Sequence, residues 1–376
     1  MTPLRVLFVN EGELGPAVMG HGSLDASLEV GLREAEDVEA RFLGIPPMGR
    51  AALKLATAAP PVLGRLDLDL QTSRWHAVQG IRARRAIQRA LRESPADVLH
   101  VHSHSLALLL GGVMRRVPTV LSMDVSVWEW HRMAIWAPLR RYSRLAVSPS
   151  IVAERRALRR AALTVAWSDW ALRGARREEP RARLEQLHPG LDLGVFSPGE
   201  REARRRPRVL FVGGRFVEKG GEDLLAALGP GLGRDVDLDI VTPADVADTP
   251  GVTRHRLRPG DPALVELYRQ ADVFCLPTRG DSNPWVILEA MACGTPVVST
   301  AVGAIPELLG NGEAGVIVSP GDVPALRDGL GGLLRDEPRR REMGAAARRR
   351  TEEHYDARVQ TRRLLESLRR VAARRD

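Results

Sequence analysis

The chain is poor in cysteine, in lysine and in aromatic residues, and it has no long apolar run. Cys275 and Cys293 are the two cysteines among 376 residues, both inside apolar segments. Secreted domains more often carry an even, spaced framework of half-cystines, so this usage argues against a disulfide scaffold and for a reducing compartment. The longest apolar stretch, Leu106 to Met114, is far short of the roughly 20 residues that a membrane-spanning helix needs. The opening MTPLRVLFVNEG passes straight into a strand-like run without the charged and apolar regions of a signal peptide. A cytoplasmic protein is expected.

Lysine is nearly missing: of 55 basic residues only Lys54 and Lys219 are lysines, leaving 53 arginines. Where arginine has taken almost every cationic position, a retained lysine marks a place that suits a compact ammonium better than a planar guanidinium. The net charge of +8 raises the question of nucleic acid. The charge is spread through helical stretches such as RARRAIQRALR and RRREMGAAARRR, and there is no zinc-finger spacing, no aromatic RNP-type run and no basic arm. No nucleic-acid partner is expected. The arginines read as a solvated surface, with peripheral contact to an anionic membrane face as their second use.

What is present is length and alternation. A chain of 376 residues with 44% hydrophobic content fits two domains. Short β-like runs (LRVLFVN, VEARFL, DVLHVH, PTVLSM, LTVAWS, LEQLHPG) alternate with helical stretches expected from Ser23, around 78–93, from Ser105 and around 138–160. Pro, Gly and a charge run in FSPGEREARRRP, residues 196–207, read as a linker. The alternation restarts with RVLFVGG, VDLDIVT, ADVFCLP and TPVVST and helices from about Gly221, Pro262 and Pro284. Such βαβ alternation predicts parallel sheets covered on both faces. The expected fold class is α/β, with Rossmann-like domains at 1–195 and 196–355 and a final helical segment at 356–376. The last helix carries a stripe of Val359, Leu364, Leu365, Leu368 and Val371 that must be buried on something.

Two segments carry chemistry. In FVGGRFVEKGGEDLL a strand ends at Gly213 and Gly214, and Arg215 and Lys219 precede a helix. Glycines let the backbone approach an anion, the helix start adds free N–H groups, and the two cations can grip and neutralise phosphate oxygens. In CLPTRGDSNPWVILEAMACGTPVVST, Asn283 reads as a helix N-cap with Pro284 at the first helical position. The helix that follows is apolar all round and therefore buried, yet holds Glu289, whose carboxylate needs a partner there. Glu289 lies roughly 8 Å along the axis from the helix start. A diphosphate at the N-terminus would bring ribose hydroxyls to it, and Asp281 is placed for the group on the other side of the diphosphate.

Asp281 and Glu289, with seven residues between, resemble the E-x7-E signature of the GT4 family of retaining glycosyltransferases, which have the GT-B fold. EAMACGTPVVSTAVGAIPELL, NGEAGVIVSPGD and VGGRFVEKGG resemble that family closely, and DVLHVHS, LTVAWSDWALR and LHPGLDLGVFSP extend the resemblance over most of the chain. It implies two Rossmann-like domains facing a central cleft, with the C-terminal helix crossing back to the first. It implies a hexosyltransferase acting on a nucleotide-sugar donor of UDP or GDP type, with no metal and no cofactor. The acceptor is not identified: a saccharide, a lipid-linked glycan or a small natural product. Gly213, Gly214, Arg215 and Lys219 would bind the donor diphosphate and Glu289 the ribose. Asp281 and the backbone from Ser282 through Asn283, Pro284 and Trp285 to Val286 would contact the transferred sugar, with Asp281, Arg215, Lys219 and Asp124 as the catalytic set.

The chain departs from the family at two places. Asp281 replaces a glutamate, one methylene shorter, and Met123 stands where many members have a histidine, with Asp124 beside it. Asp124 and the Gly20–His21–Gly22 loop are the acceptor-side candidates. His100, His102 and His104 alternate along a strand end, but without an acidic or thiol partner cluster a metal site is not expected there. WEWHRMAIWAPLRRY, residues 128–142, mixes aromatics with arginine as an acceptor or membrane dock would. A sugar-nucleotide epimerase and a non-catalytic nucleotide-sugar binder are the alternatives to a transferase.

Overall fold

The computed structural model describes residues 3–12, 21–58, 61–65, 68, 70–133, 139 and 142–374. Two compact units form: Met1–Pro189 together with Arg358–Asp376, and Gly190–Ala357. Each is built on one six-stranded parallel sheet.

The first sheet contains β1 (Leu4–Glu11), β2 (Val38–Ile45), β3 (Val98–His102), β4 (Thr119–Met123), β5 (Leu163–Ala166) and β6 (Leu184–Gln186). Their order is β2-β1-β3-β4-β5-β6. The second contains β7 (Arg208–Val212), β8 (Asp237–Val241), β9 (Val252–His255), β10 (Val273–Leu276), β11 (Val297–Thr300) and β12 (Gly315–Val318), in the order β12-β11-β10-β7-β8-β9. The central strands β3, β4, β10 and β11 are buried at every residue. Continuous burial is why they read as unbroken apolar runs rather than as alternating ones. The α/β class expected from the sequence, two units each built on a parallel sheet with helices, is the one observed.

In both sheets the order reverses once, between β1 and β3 and between β7 and β10. Chain leaving those neighbouring strands at their carboxyl ends diverges to opposite sides, and ligands bind in the crevice this opens.

Several boundaries shift. The basic helix begins at Gln71 and runs to Glu93, the helix after β3 is only His104–Ala107, and the Arg-rich helix is Ser143–Arg160. The helices Arg50–Thr57 and Pro61–Arg65 and the strand β9 had no clear signal in the sequence. The last helix, Ala357–Ala373, packs on the first unit. There Arg369 pairs with Asp37 at 2.7 Å and Arg370 with Glu185 at 2.6 Å. Leu364, Leu365, Leu368 and Val371 are buried as the stripe requires, but Val359 is 40% exposed. Thr361 takes up the buried face on that turn, against Gly31, where a Cβ would collide with it.

Candidate functional site

The loops after β7 and β10 meet at the reversal point of the second sheet. Gly220 has φ 79, and a Cβ there would run into the carbonyl of Pro277. Glycine therefore lets loop 213–220 lie directly on the end of β10. The helix Gly221–Leu228 follows, as the sequence indicated. Within the loop, Arg215 is ion-paired with Glu218, and that guanidinium holds the Glu218 carboxyl below its usual range. The Glu218 carbonyl accepts a hydrogen bond from Arg279 N at 3.1 Å. Lys219 Nζ is ion-paired with Asp281 Oδ2 and lies 3.3 Å from the Gly280 carbonyl oxygen. Both cations proposed for phosphate are thus already neutralised by carboxylates within the same unit.

The segment Asp281–Asn283 is held from behind by the loop after β11. Gly303 has φ 56, and a Cβ there would press on the carbonyl oxygens of Asp281 and Ser282. Ala304 N donates to Ser282 O at 2.9 Å. The helix runs Trp285–Ala292 and is buried at every residue except Val286. Its N-cap is Pro284, not Asn283, and no side chain caps it. Proline occupies the boundary position itself, one place earlier than expected. The Asn283 side chain makes no capping bond: its Nδ2 and Oδ1 are buried without any hydrogen-bond partner.

Glu289, 6% exposed, sits on this helix, and Tyr268 donates its hydroxyl to Oε2 at 2.7 Å. Burial raises the Glu289 carboxyl and the Tyr268 hydrogen bond offsets part of the rise, for a net shift up to about 7. Tyr268 itself is fully buried in the helix Pro262–Gln270. Nothing in the sequence marked it, because its partner lies 21 positions away and in a different helix. Gly303 was missed for the same reason. Cys275 and Cys293 are free and buried, and burial raises both thiols, Cys293 to about 12. They are structural rather than reactive.

In the first unit Met123 is fully buried at the end of β4, in a core with Leu106, Leu121 and Leu158. The position where the resemblance suggested a histidine is here a packing position. Asp124 is half-buried and does not cap the next helix, Val127–Arg132, whose N-cap is Ser126. Gly20 lies outside the described residues, and of His21 the backbone alone is described, as the first residue of the helix His21–Leu32. His100 Nε2 lies 2.7 Å from Ser122 Oγ, and His102 stacks on Trp167. Among the described residues no group of three or more His, Cys, Asp or Glu side chains is placed to hold a metal ion. Beside the reversal point of this sheet, Glu11 accepts from Ser105 Oγ and from Gln79 Nε2, both at 2.9 Å. Ser103, with φ 88, holds a backbone conformation that costs a non-glycine residue strain.

The aromatic and arginine stretch is described in part. Arg144 lies over the Trp128 ring at 5.2 Å, and Arg132 and Arg177 both pair with Glu129. Among the described residues no helix is long and apolar enough to cross a membrane.

Comparison with known proteins locates the same segment. Residues 206–336 match the family described as glycosyl transferases group 1. The D-inositol 3-phosphate glycosyltransferase of Corynebacterium diphtheriae is 37% identical over 190 residues, which is 43% of this chain and 44% of that protein. The chain therefore matches less than half the length of that relative. Among solved structures, the sucrose-phosphate synthase of Thermosynechococcus elongatus superposes with a TM-score of 0.74 at 17% identity, covering 98% of this chain and 99% of the other. The Anabaena protein HepE, solved with UDP-glucose, gives 0.64 at 15% identity over 97% and 99%. At such identities these likenesses establish the shared fold.

Proposed function

We propose that the chain is a glycosyltransferase that moves a sugar from a nucleotide-sugar donor of UDP or GDP type to a hydroxylated acceptor, with retention at the anomeric carbon and without a metal. One observation carries this reading. Loop 213–220, with Arg215 and Lys219, and segment 281–289, with Asp281, the start of a buried helix and Glu289, meet at the reversal point of the second sheet. That is where an open parallel sheet offers a ligand its crevice, and it lies inside the span matching the glycosyltransferase family. HepE, solved with UDP-glucose, shares the fold and supports the donor class.

The chemistry follows from the layout. A diphosphate at the Trp285–Ala292 N-terminus is stabilised by the helix dipole and by the N–H groups that point out of the first turn. It draws Arg215 from Glu218 and Lys219 from Asp281. The Asp281 carboxylate, released from the ammonium, then faces the transferred sugar. Glu289, oriented by Tyr268 through Oε2, keeps Oε1 outside that bond for the ribose hydroxyls. As the bond from the anomeric carbon to the diphosphate breaks, its electron pair stays on the departing oxygen, stabilised by the two cations. The acceptor oxygen bonds to the same face and its proton passes to the departing diphosphate.

The acceptor site belongs in this reading to the first unit, with Asp124, His21 and Gly20 as its candidates, and the arginine-rich surface suits an anionic membrane face. Thermal-shift screening against UDP-, GDP-, ADP- and dTDP-sugars identifies the donor, because a saturating ligand stabilises the native state. Nucleoside diphosphate release that requires an added acceptor supports transfer. Conversion of donor without acceptor would instead reveal an epimerase, and binding without turnover over a broad acceptor panel a mere binder.

A further inference from the structure

Asn283 is 5% exposed, and both polar atoms of its side chain are buried with no hydrogen-bond partner. Among the described residues it is the one side chain left with both a donor and an acceptor in this condition. A buried amide in this state is costly, and a leucine of similar size would carry no such penalty. The usual explanation, capping of the helix that follows, is ruled out by the cap at Pro284. The orphaned amide lies between Asp281, which is tied to Lys219, and the N-terminus of the helix Trp285–Ala292.

The chemistry of the missing partner is restricted. An amide offers two N–H donors and a carbonyl oxygen with two lone pairs. Phosphate oxygens only accept; they would satisfy Nδ2 and leave Oδ1 facing negative charge. A hydroxyl group donates and accepts, and a pair of neighbouring hydroxyls satisfies both ends of the amide together. Position selects which hydroxyls. Glu289 lies one turn into the helix and Asn283 lies before its start, so with a diphosphate at the N-terminus the two residues fall on opposite sides of it. The ribose goes to Glu289, and Asn283 is left with the other half of the donor.

We propose that the Asn283 side-chain amide is a specificity determinant that hydrogen-bonds the hydroxyls of the transferred sugar. The proposal rests on the nucleotide-sugar reading and deepens it, since the family resemblance assigns only backbone contacts to this segment. Its signature is a separation of stability from recognition. Removing an unsatisfied amide should strengthen the empty protein while weakening its hold on the sugar alone.

The test uses the full chain with Asn283→Leu and, should leucine misfold, Asn283→Ser. Each protein is titrated with UDP and with UDP-glucose, or with GDP and GDP-mannose if the guanine pair is the one that binds. The expected result is a melting temperature without ligand at or above that of the parent. Affinity for the nucleoside diphosphate should stay within about twofold, and affinity for the nucleotide sugar should fall by about tenfold or more, the loss of one or two hydrogen bonds. An equal loss for both ligands would place the amide on the phosphate or the base and overturn the proposal. So would no loss for either. Failure of the parent chain to bind any of the UDP-, GDP-, ADP- and dTDP-sugars of the thermal-shift screen would overturn the nucleotide-sugar reading, and the proposal with it.

Discussion

Lys219 and Asp281, 62 positions apart in the sequence, are joined by an ion pair that ties the loop after β7 to the loop after β10. Their side chains are 23% and 17% exposed. The pair holds a cation and an anion ready at the site while neither stands alone, and an arriving diphosphate must compete with Asp281 for the ammonium.

The competition can be measured. Lys219→Ala should lower turnover by two orders of magnitude or more, as loss of a leaving-group stabiliser does, at about 2.7–4 kcal/mol. Asp281→Asn should behave differently: UDP binds more tightly, by about threefold to tenfold, because the lysine is no longer shared, while turnover falls. Calorimetric titration with UDP and initial rates separate the two effects. Near-normal turnover in Lys219→Ala would refute the phosphate role.

The pH dependence of donor binding should report Glu289. Its carboxyl is pushed up to about 7 by burial, so binding of UDP-glucose through the ionised form should strengthen as pH rises through 7. Tyr268→Phe removes the hydrogen bond that favours the carboxylate, which moves this midpoint upward. At pH 7 affinity should fall by about threefold to tenfold, the worth of one hydrogen bond at about 0.5–1.5 kcal/mol. UDP-glucose is the right probe because its diphosphate does not titrate in this range. A midpoint unmoved by the substitution would sever Tyr268 from the site.

Glu154 should govern part of the stability of the first unit. It is 1% exposed, its Oε1 accepts from Val127 N at 2.9 Å, its Oε2 has no partner, and burial pushes it up to about 8. The folded protein then holds a proton that the unfolded chain has released, so this group's contribution to stability declines as pH rises from about 4.5 to about 8. The slope reaches at most about 1.4 kcal/mol per pH unit. Glu154→Gln should remove the decline and melt higher than the parent at pH 8.5 relative to pH 7. Between pH 7 and 8.5 His76 and His100, lowered to about 3 and about 4 by burial, are neutral in the folded protein, and in the unfolded chain each loses only about the last quarter of its proton, a small effect of opposite sign to that of Glu154. Parallel melting curves for parent and variant would show that Glu154 is not the titrating group.

Gly303→Ala should damage the site without touching a charge. The added methyl meets the carbonyl oxygens of Asp281 and Ser282 at a φ of 56. Positive φ alone costs a non-glycine residue roughly 1–2 kcal/mol, and displacement of the segment should weaken UDP-glucose binding by about tenfold. Retention of parental affinity with only a lower melting temperature would confine the role of Gly303 to stability.

The alternation of strands and helices was legible because its signals are local: apolar runs of strand length, helical stripes, and glycines at turns. The same holds for Glu289, conspicuous as a lone carboxylate in an apolar helix. What escaped were pairings between distant positions. Neither the Lys219–Asp281 ion pair nor the Tyr268–Glu289 hydrogen bond leaves a mark near either residue. Asn283 was misread for a subtler reason. Asn-Pro before a helix is a strong cap signal, but here Pro284 itself is the boundary residue and the asparagine side chain accepts from no helix N–H. Met123 is the opposite case: where the resemblance led one to look for a histidine, this chain places a side chain that fills the core.

The path of the chain has a consequence for biosynthesis. The second unit, Gly190–Ala357, is one continuous stretch, whereas the first is completed only by Arg358–Asp376. During synthesis the second unit can close on itself before the last helix has left the ribosome. The first must wait, with the surface that will receive Leu364, Leu365, Leu368 and Val371 open to water. Domains fold as units as they emerge, and exposed apolar surface is where such intermediates aggregate. A premature stop anywhere in the final helix therefore strands the unit that was made first, and leaves intact the one that was made second.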